Sequence, residues 1–361
     1  MKLHPLSTLS LAAAAGVAAL TGPASAEMDF TGKQVLLIVA SNEGKGTDII
    51  GRFMARAMSK YLKGKPDVVV KNTGAGGGKI RGANLLAKAK TDGLTIMQSD
   101  GTTLQPTTLR RKSVRYDPTK FIAIGAINRG GSILIFRKES VANLMDKSKK
   151  PVIIGAISGT RSWQAMPMFG AEFLGWNVKW IPGYKGNNQF ARGIRQGEID
   201  VFATNSNYII DPLVKEGVVE LLYQVGQPDE DGKYKGRSSY PNVPIFPDVL
   251  RSKAKLSKLQ WRAYLSFVNP SLIDKWMALP PKTPKDTVDT WRNAYKKAFN
   301  DPELKKTMTK QFGTDLTLIS GKQVDTMIEE VSGVGDDVVD YTVKLQQKYG
   351  LSSMRKKKRK K

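Results

Sequence analysis

The stretch KQVLLIVASNEGKGTDIIGRFMARAMSKYLKGKPDVVVKN, residues 33–72, decides how this chain folds. Gln34 to Ala40 is apolar and long enough for a buried strand. Ser41 to Thr47 is polar and glycine-rich, and so turns. From Asp48 to Leu62, apolar residues recur at Ile50, Phe53, Met54, Ala57, Met58 and Tyr61, the spacing of one helical face. Thr47 or Asp48 stands where it would cap that helix, and Gly64 where it would stop. A second apolar run follows from Val68 to Val70. Strand, loop, helix and strand in this order make a unit with parallel strands and a right-handed crossover. The loop then holds free backbone N–H groups and the positive end of a helix dipole at the C-terminal edge of a sheet. With Lys45 beside them, such an edge suits a carboxylate, phosphate or sulfate.

The second half of the chain repeats the arrangement. A strand, VIIGAI, at residues 152–157 leads into Ser158, Gly159, Thr160, Arg161 and Ser162. A helical run from Trp163 to Leu174 comes next, and then a strand from Val178 to Ile181. Two such units can aim two helix N-termini at one ligand held between them. Arg161 adds a planar, permanently charged fork that matches a carboxylate.

Other strand ends carry polar residues. The strand Leu94 to Gln98 ends in Ser99, Asp100 and Gly101, and the strand Ile199 to Thr204 ends in Asn205, Ser206 and Asn207. Ligands collect at such ends in open parallel sheets. Gly183-Tyr184-Lys185-Gly186 opens a helix from Asn187 to Arg195. Arg129-Gly130-Gly131 is the expected crossing into a second domain. Residues 227–239 read as a surface loop, residues 241–247 as extended chain, and Thr283-Pro284 as a helix start. Two helices close the chain, from about Lys322 to Ser332 and Asp336 to Tyr349.

Two glycine-rich runs fail as nucleotide motifs. In Asn72 to Lys79, Thr73 and Ile80 replace the glycine and the hydroxyl residue that a phosphate loop needs. Gly44-Lys45-Gly46 lacks the third glycine of a dinucleotide fingerprint, since Ile49 occupies that place. These glycines instead allow close chain packing.

Composition excludes several chemistries. The chain has 361 residues, no Cys and one His, His4. That removes Ser-His-Asp and Cys-His nucleophile systems, disulfides, and zinc sites built on His or Cys. No cofactor or metal is expected. The first 26 residues, with Lys2, an apolar Leu9 to Leu20 and Ala24-Ser25-Ala26, read as a cleaved secretory leader. The formal net charge is +25. Seven cations crowd the tail from Arg355 to Lys361, a self-repelling and disordered end. The body stays strongly basic without them, which favours acidic partners.

The order of motifs resembles the periplasmic substrate-binding proteins of tripartite tricarboxylate transporters, the Bug-type receptors. The matching pieces are Gly46-Thr47-Asp48-Ile49-Ile50 with Arg52; Val68 to Gly77; Ala87-Lys88-Ala89 with Asp92-Gly93; Tyr116-Asp117-Pro118 with Phe121; Tyr184-Lys185-Gly186; Gly197-Glu198-Ile199-Asp200; Tyr240 to Pro244; and Leu279-Pro280-Pro281 with Thr283-Pro284. The resemblance implies a two-lobed α/β binding protein of the type II, Venus-flytrap kind, with a mostly parallel sheet in each lobe and no catalysis. It implies a first lobe from residues 27–128 and 256–350, and a second from residues 129–255. The implied ligand is a small organic carboxylate. The implied partner is a membrane permease, with a sensor kinase as a second candidate. Nucleic acid is not expected. Carried over, the gripping loops are Gly46-Thr47-Asp48 and Ser158 to Ser162, with Asn42, Lys45, Asp100, Lys185 and Asn205 as further site candidates. The chain departs from the family at Ala40 to Lys45, where an aromatic-proline run is usual, and at Arg161 and Trp163. The competing reading is a basic extracytoplasmic protein that binds polyanions, anionic lipid or nucleic acid, through its surface and tail.

Overall fold

The computed structural model describes residues 27–74, 77–157, 161–228 and 233–351. The expected leader and the basic tail lie outside them, as do Ser158, Gly159 and Thr160. Among the described residues, no helix is long and apolar enough to cross a membrane.

Two sheets organise the chain. The first half supplies β1 (Gln34–Val39), β2 (Asp67–Asn72), β3 (Thr95–Asp100) and β4 (Ile122–Asn128). The middle supplies β5 (Ile133–Arg137), β6 (Val152–Ala156), β7 (Val178–Pro182), β8 (Val201–Thr204) and β9 (Val219–Gln224). A short hairpin pairs β10 (Gln227–Pro228) with β11 (Tyr234–Lys235). The last strands are β12 (Lys275–Leu279) and β13 (Thr317–Ser320). The first sheet runs β13-β4-β12-β3-β1-β2, and the second β7-β6-β8-β5-β9. β1, β2 and β3 are parallel, and β12 enters antiparallel between β3 and β4. In the second sheet β6, β7 and β8 are parallel, and β5 runs against β8 and β9. Both sheets are mixed, with most strands pointing one way.

The opening unit forms as its pattern dictates. The helix Gly46–Lys60 buries Ile50, Met54, Ala57 and Met58 against the sheet. It lies close enough that a Cβ on Gly51 would sit 2.8 Å from Gln98 Cγ, so only glycine fits there without a shift. The cap differs from expectation. Lys45 is the N-cap, and no side chain caps the helix. Asp48, inside the first turn, instead reaches back to the Gly44 N–H at 2.9 Å.

The chain passes between the sheets at residues 129–132 and returns at 269–274, before β12. Gly131 and Gly226 meet there backbone to backbone, since a Cβ on Gly131 would lie 2.9 Å from Gly226 N. The Val225 N–H donates to Ser132 O across the same junction. The helices Lys258–Val268 and Asp336–Lys348 fall within residues 256–350, the expected returning part of the first lobe. Yet Tyr264, Phe267, Val338, Leu345 and Leu351 pack into the core of the second sheet. The start of the described chain, by contrast, is held on the first sheet, where Met28 N–H bonds Thr290 Oγ1 at 3.2 Å.

Other expectations shift by physical detail. Residues 227–239 are not simply surface: beyond the hairpin, Arg237 is buried. Residues 241–247 are not all extended, because Phe246 and Pro247 open the helix Phe246–Lys253, where proline is tolerated in the first turn. Pro284 is the cap of the helix Lys285–Phe299, and Thr283 Oγ1 donates to Pro280 O instead of capping.

Candidate functional site

The ends of β1, β3 and β12 meet the ends of β6 and β8 where the two sheets face each other. Charged residues gather there in a density unusual for a protein interior. Asp100, the last residue of β3, is the centre of one group. Its Oδ2 accepts from Lys79 Nζ and, at 3.3 Å, from Thr47 Oγ1. Its Oδ1 accepts from the Thr102 N–H at 3.0 Å, capping the turn that follows β3. Lys79 arrives on the helix Gly78–Leu86, immediately after the glycine-rich run. Burial works to raise the Asp100 pKa, but Lys79, Lys275 and Arg161 overcome it and hold the carboxylate well below its usual range. Burial pulls Lys79 down to about 8; Asp100 opposes this, and Arg161 and Lys275 add to it.

A second group surrounds Asp274, just before β12. Arg129 grips it with two N–H groups, Nη2 at 3.0 Å and Nε on the other oxygen. Lys275 Nζ donates to Asp274 Oδ1, and Asn205 Nδ2 to Oδ2 at 3.3 Å. Arg129 also reaches Ser206 Oγ at 3.3 Å and lies over the Phe312 ring. Burial opposes ionisation of Asp274, yet Arg129 and Lys275 bring its pKa to about 2. Burial lowers the Lys275 pKa, against the pull of Asp274. The pairs are buried and well hydrogen-bonded, the condition under which buried charge is tolerated.

The expected residues divide into three sets. Thr47, Asp100 and Asn205 join these groups. Arg161 is close enough to act on both Asp100 and Lys79. Its own N–H donates to Gln164 Oε1 at 3.2 Å. The guanidinium makes no ion pair among the described residues. Gly46 faces the cluster too: a Cβ there would lie 3.7 Å from Arg129 Nη1. Ser162 and Lys45 touch across the junction, Ser162 Oγ accepting from Gln105 Nε2 at 3.2 Å, and Lys45 Nζ lying 3.7 Å from where a Gly186 Cβ would be. Asp48, Asn42 and Lys185 do other work. Asp48 Oδ1 takes Arg52 Nε at 2.9 Å and Asn72 Nδ2 at 2.8 Å, which with Gly44 ties the loop to β2. Asn42 is exposed and packs over Gly74. Lys185 is exposed, and its N–H bonds Gln189 Oε1. Ser158, Gly159 and Thr160 lie outside the described residues.

Sequence reasoning missed Lys79, Arg129, Asp274 and Lys275 as site residues. The signal was present for Lys79, which follows a glycine-rich turn after β2. No local motif marks Asp274 and Lys275 or ties them to Arg129.

Beside this cluster stands a latch. Arg237 donates Nε and Nη2 to Asp315 Oδ2 at 3.0 and 2.9 Å, and Nη2 also to Asn207 Oδ1. Asp315 also accepts from Ser238 Oγ and Ser239 Oγ, both at 2.6 Å. The latch joins the loop after the β10-β11 hairpin to the segment leading into β13.

The family model of the tripartite tricarboxylate transporter family receptor, TctC, matches residues 50–340. The chain belongs to this family. A TctC solute-binding protein from Polaromonas, solved without ligand, superposes with a TM-score of 0.62 at 18% identity, over 87% of this chain and 98% of that one. MatC from Rhodopseudomonas palustris with bound malate gives 0.58 at 17%, over 85% and 98%. An R. palustris protein with adipate gives 0.60 at 18%, over 88% and 98%. At these identities the likeness establishes the fold, that of two-lobed periplasmic binding proteins. No curated protein matches the chain. TctC receptors are periplasmic and bind solutes, and this chain is a receptor of that kind, not an enzyme.

Proposed function

We propose that this TctC receptor captures a small organic carboxylate between its two lobes and delivers it to the membrane permease of a tripartite transporter. The observation that carries the reading is the placement of Arg161 near Lys79 and Asp100, with Thr47 bonded to Asp100, where two helix starts and the end of β3 meet the segment after β6. Relatives solved with malate and with adipate support a carboxylate as the ligand class. The lobes would divide near residues 128 and 256, with the crossings as hinge, and ligand would be buried as they close. The Gly46-Thr47-Asp48 turn and the turn from Ser158 to Ser162 would offer N–H groups to the ligand, while Asp48 holds the first turn in shape. The chain would reach the periplasm with its leader removed near Glu27. Nothing found favours a sensor kinase as partner.

The test is a thermal-shift screen of the mature protein against small carboxylates at low and high salt. A ligand that binds only the folded state raises the melting temperature according to its concentration over its Kd. A salt-tolerant shift with a carboxylate is expected. Stabilisation by polyanions alone, and only at low salt, would reject the receptor reading in favour of a basic binding surface.

A further inference from the structure

At the end of the first sheet away from the cleft lies an open pocket of about 610 Å³, the size of a small-ligand site. The strand register fixes its place. Lys275 of β12 pairs with Asp100 at the cleft end, whereas Leu279 pairs with Ile122 of β4, which lines the pocket. Four residues of strand put about 13 Å between the two ends. The walls come from Ala87 and from stretches at 115–122, 281–282 and 325–329. Three of the stretches that carry the family resemblance meet there, through Ala87, through Tyr116-Asp117-Pro118 with Phe121, and through Pro281. None of them belongs to the charged cluster between the sheets. The pocket has donors without partners. The side chains of Arg115, Lys120 and Lys282 are exposed and make no hydrogen bond or ion pair among the described residues. Lys282 stands on a fixed turn, with φ at +64° and with Thr283 Oγ1 bonded to Pro280 O beside it. A residue other than glycine keeps such a φ only where its surroundings impose it. The facing acids are mostly occupied. Asp325 accepts from the Ala123 N–H at 2.8 Å and from Arg292 Nη2 at 2.6 Å, and Asp117 accepts from the Thr119 N–H and hydroxyl. Glu329 is the wall carboxylate without a partner among the described residues, so the unpaired charge of the wall remains positive. Between these charges, Ala87, Pro118, Phe121, Pro281 and Ile328 supply apolar surface.

We propose that this pocket is a second binding site, separate from the cleft, for a phosphate ester carried on an apolar stem. A phosphate monoester brings about two negative charges and three strong acceptor oxygens on one atom, which matches three free cations around one opening. Its single ester bond leaves the stem to lie on the apolar wall. Two sources supply this chemistry, the headgroup of an anionic phospholipid and a free organic phosphate. The formal net charge of +25 draws the chain toward either one.

The experiment is isothermal titration of the mature protein with hexyl phosphate, inorganic phosphate and hexanol at physiological salt. Hexyl phosphate is expected to bind at least about tenfold more tightly than either of the others, since neither has both the charge and the stem. Arg115→Gln combined with Lys282→Gln is expected to weaken it about tenfold or more. Lys306→Gln combined with Lys310→Gln removes equal charge from the helix Pro302–Phe312 and should change it by about twofold or less. Both double variants alter exposed side chains outside the cleft, so a carboxylate that stabilises the parent protein should stabilise them equally. Failure of that carboxylate arm bears on the receptor reading alone. Sedimentation with phosphatidylcholine vesicles, with and without phosphatidic acid, identifies the source. Binding that needs phosphatidic acid and is lost in the Arg115→Gln, Lys282→Gln variant assigns a lipid headgroup, and hexyl phosphate binding without it assigns a soluble ester. No binding of hexyl phosphate, binding no tighter than that of inorganic phosphate, equal weakening by the two double variants, or displacement by a cleft carboxylate overturns the proposal.

Discussion

Ligand affinity should fall as pH rises through 8, and Lys79 gives the reason. Its ammonium faces Asp100 from β3, Arg161 from the other sheet and Lys275 from β12, with Arg129 and Asp274 behind Lys275. Burial and the two neighbouring cations bring its pKa from 10.5 to about 8, despite Asp100. A bound anion favours the charged form and so raises that pKa again. Ligand therefore binds best while Lys79 is already protonated. Going from pH 7 to pH 9 reduces the charged fraction from about nine-tenths to about one-tenth, so the Kd should rise roughly tenfold. Folding responds with the opposite sign. The unfolded chain keeps the Lys79 proton up to 10.5 and the folded chain loses it near 8, so the unfolded state binds more protons in between. Stability of the ligand-free protein should then gain, from this group, up to about 1.4 kcal/mol per pH unit above pH 8. The chain has no Cys and its one His is His4, and the α-amino group, which also titrates near 8, is shared by the Lys79→Arg variant and so cancels in the comparison. Titration calorimetry between pH 6.5 and 9, in buffers of different ionisation enthalpy, reads both the Kd and the proton uptake. Lys79→Arg keeps the charge and should flatten the profile. A Kd that is constant from pH 7 to 9, with no proton taken up on binding, would refute the account.

Three further outcomes follow from the packing. Arg237→Ala strips Asp315 of its cation in a buried setting and should cost about 3 kcal/mol, seen as a lower melting temperature, with a larger radius of gyration as the lobes part. Gly101→Ala should destabilise by about 2 kcal/mol or more in denaturant melts, because its Cβ would lie 1.6 Å from Pro270 O and backbone cannot give way cheaply. Gly175→Ala, which meets nothing within 4 Å at a φ of +74°, should cost only about 1 kcal/mol of backbone strain.

The two strand-loop-helix units were legible because each joins a short apolar run to a helical period through a glycine-rich turn. Between residues 246 and 320 only the helix start at Thr283-Pro284 was. β12 is buried throughout, so it shows no alternation, and its five residues follow Asp274 directly. The helix Lys258–Val268 carries a Ser257-Gln260 capping box, a usable signal passed over because its apolar residues are broken by Arg262 and Ser266. At the site, Thr47, Asp100, Arg161 and Asn205 were readable from their place just after strands. The partners that give them meaning were not. Arg129 and Asp274 are 145 residues apart, and only the antiparallel insertion of β12 brings them together.

The two ends of the described chain are anchored on opposite halves of the molecule. Met28 is fastened to the first sheet's helix at Thr290, and Leu351 is sunk in the core of the second sheet. A hinge closure therefore changes the separation of the termini. A donor fluorophore joined before Glu27 and an acceptor joined after Leu351 would turn ligand capture into an energy-transfer signal, with no label placed near the cleft.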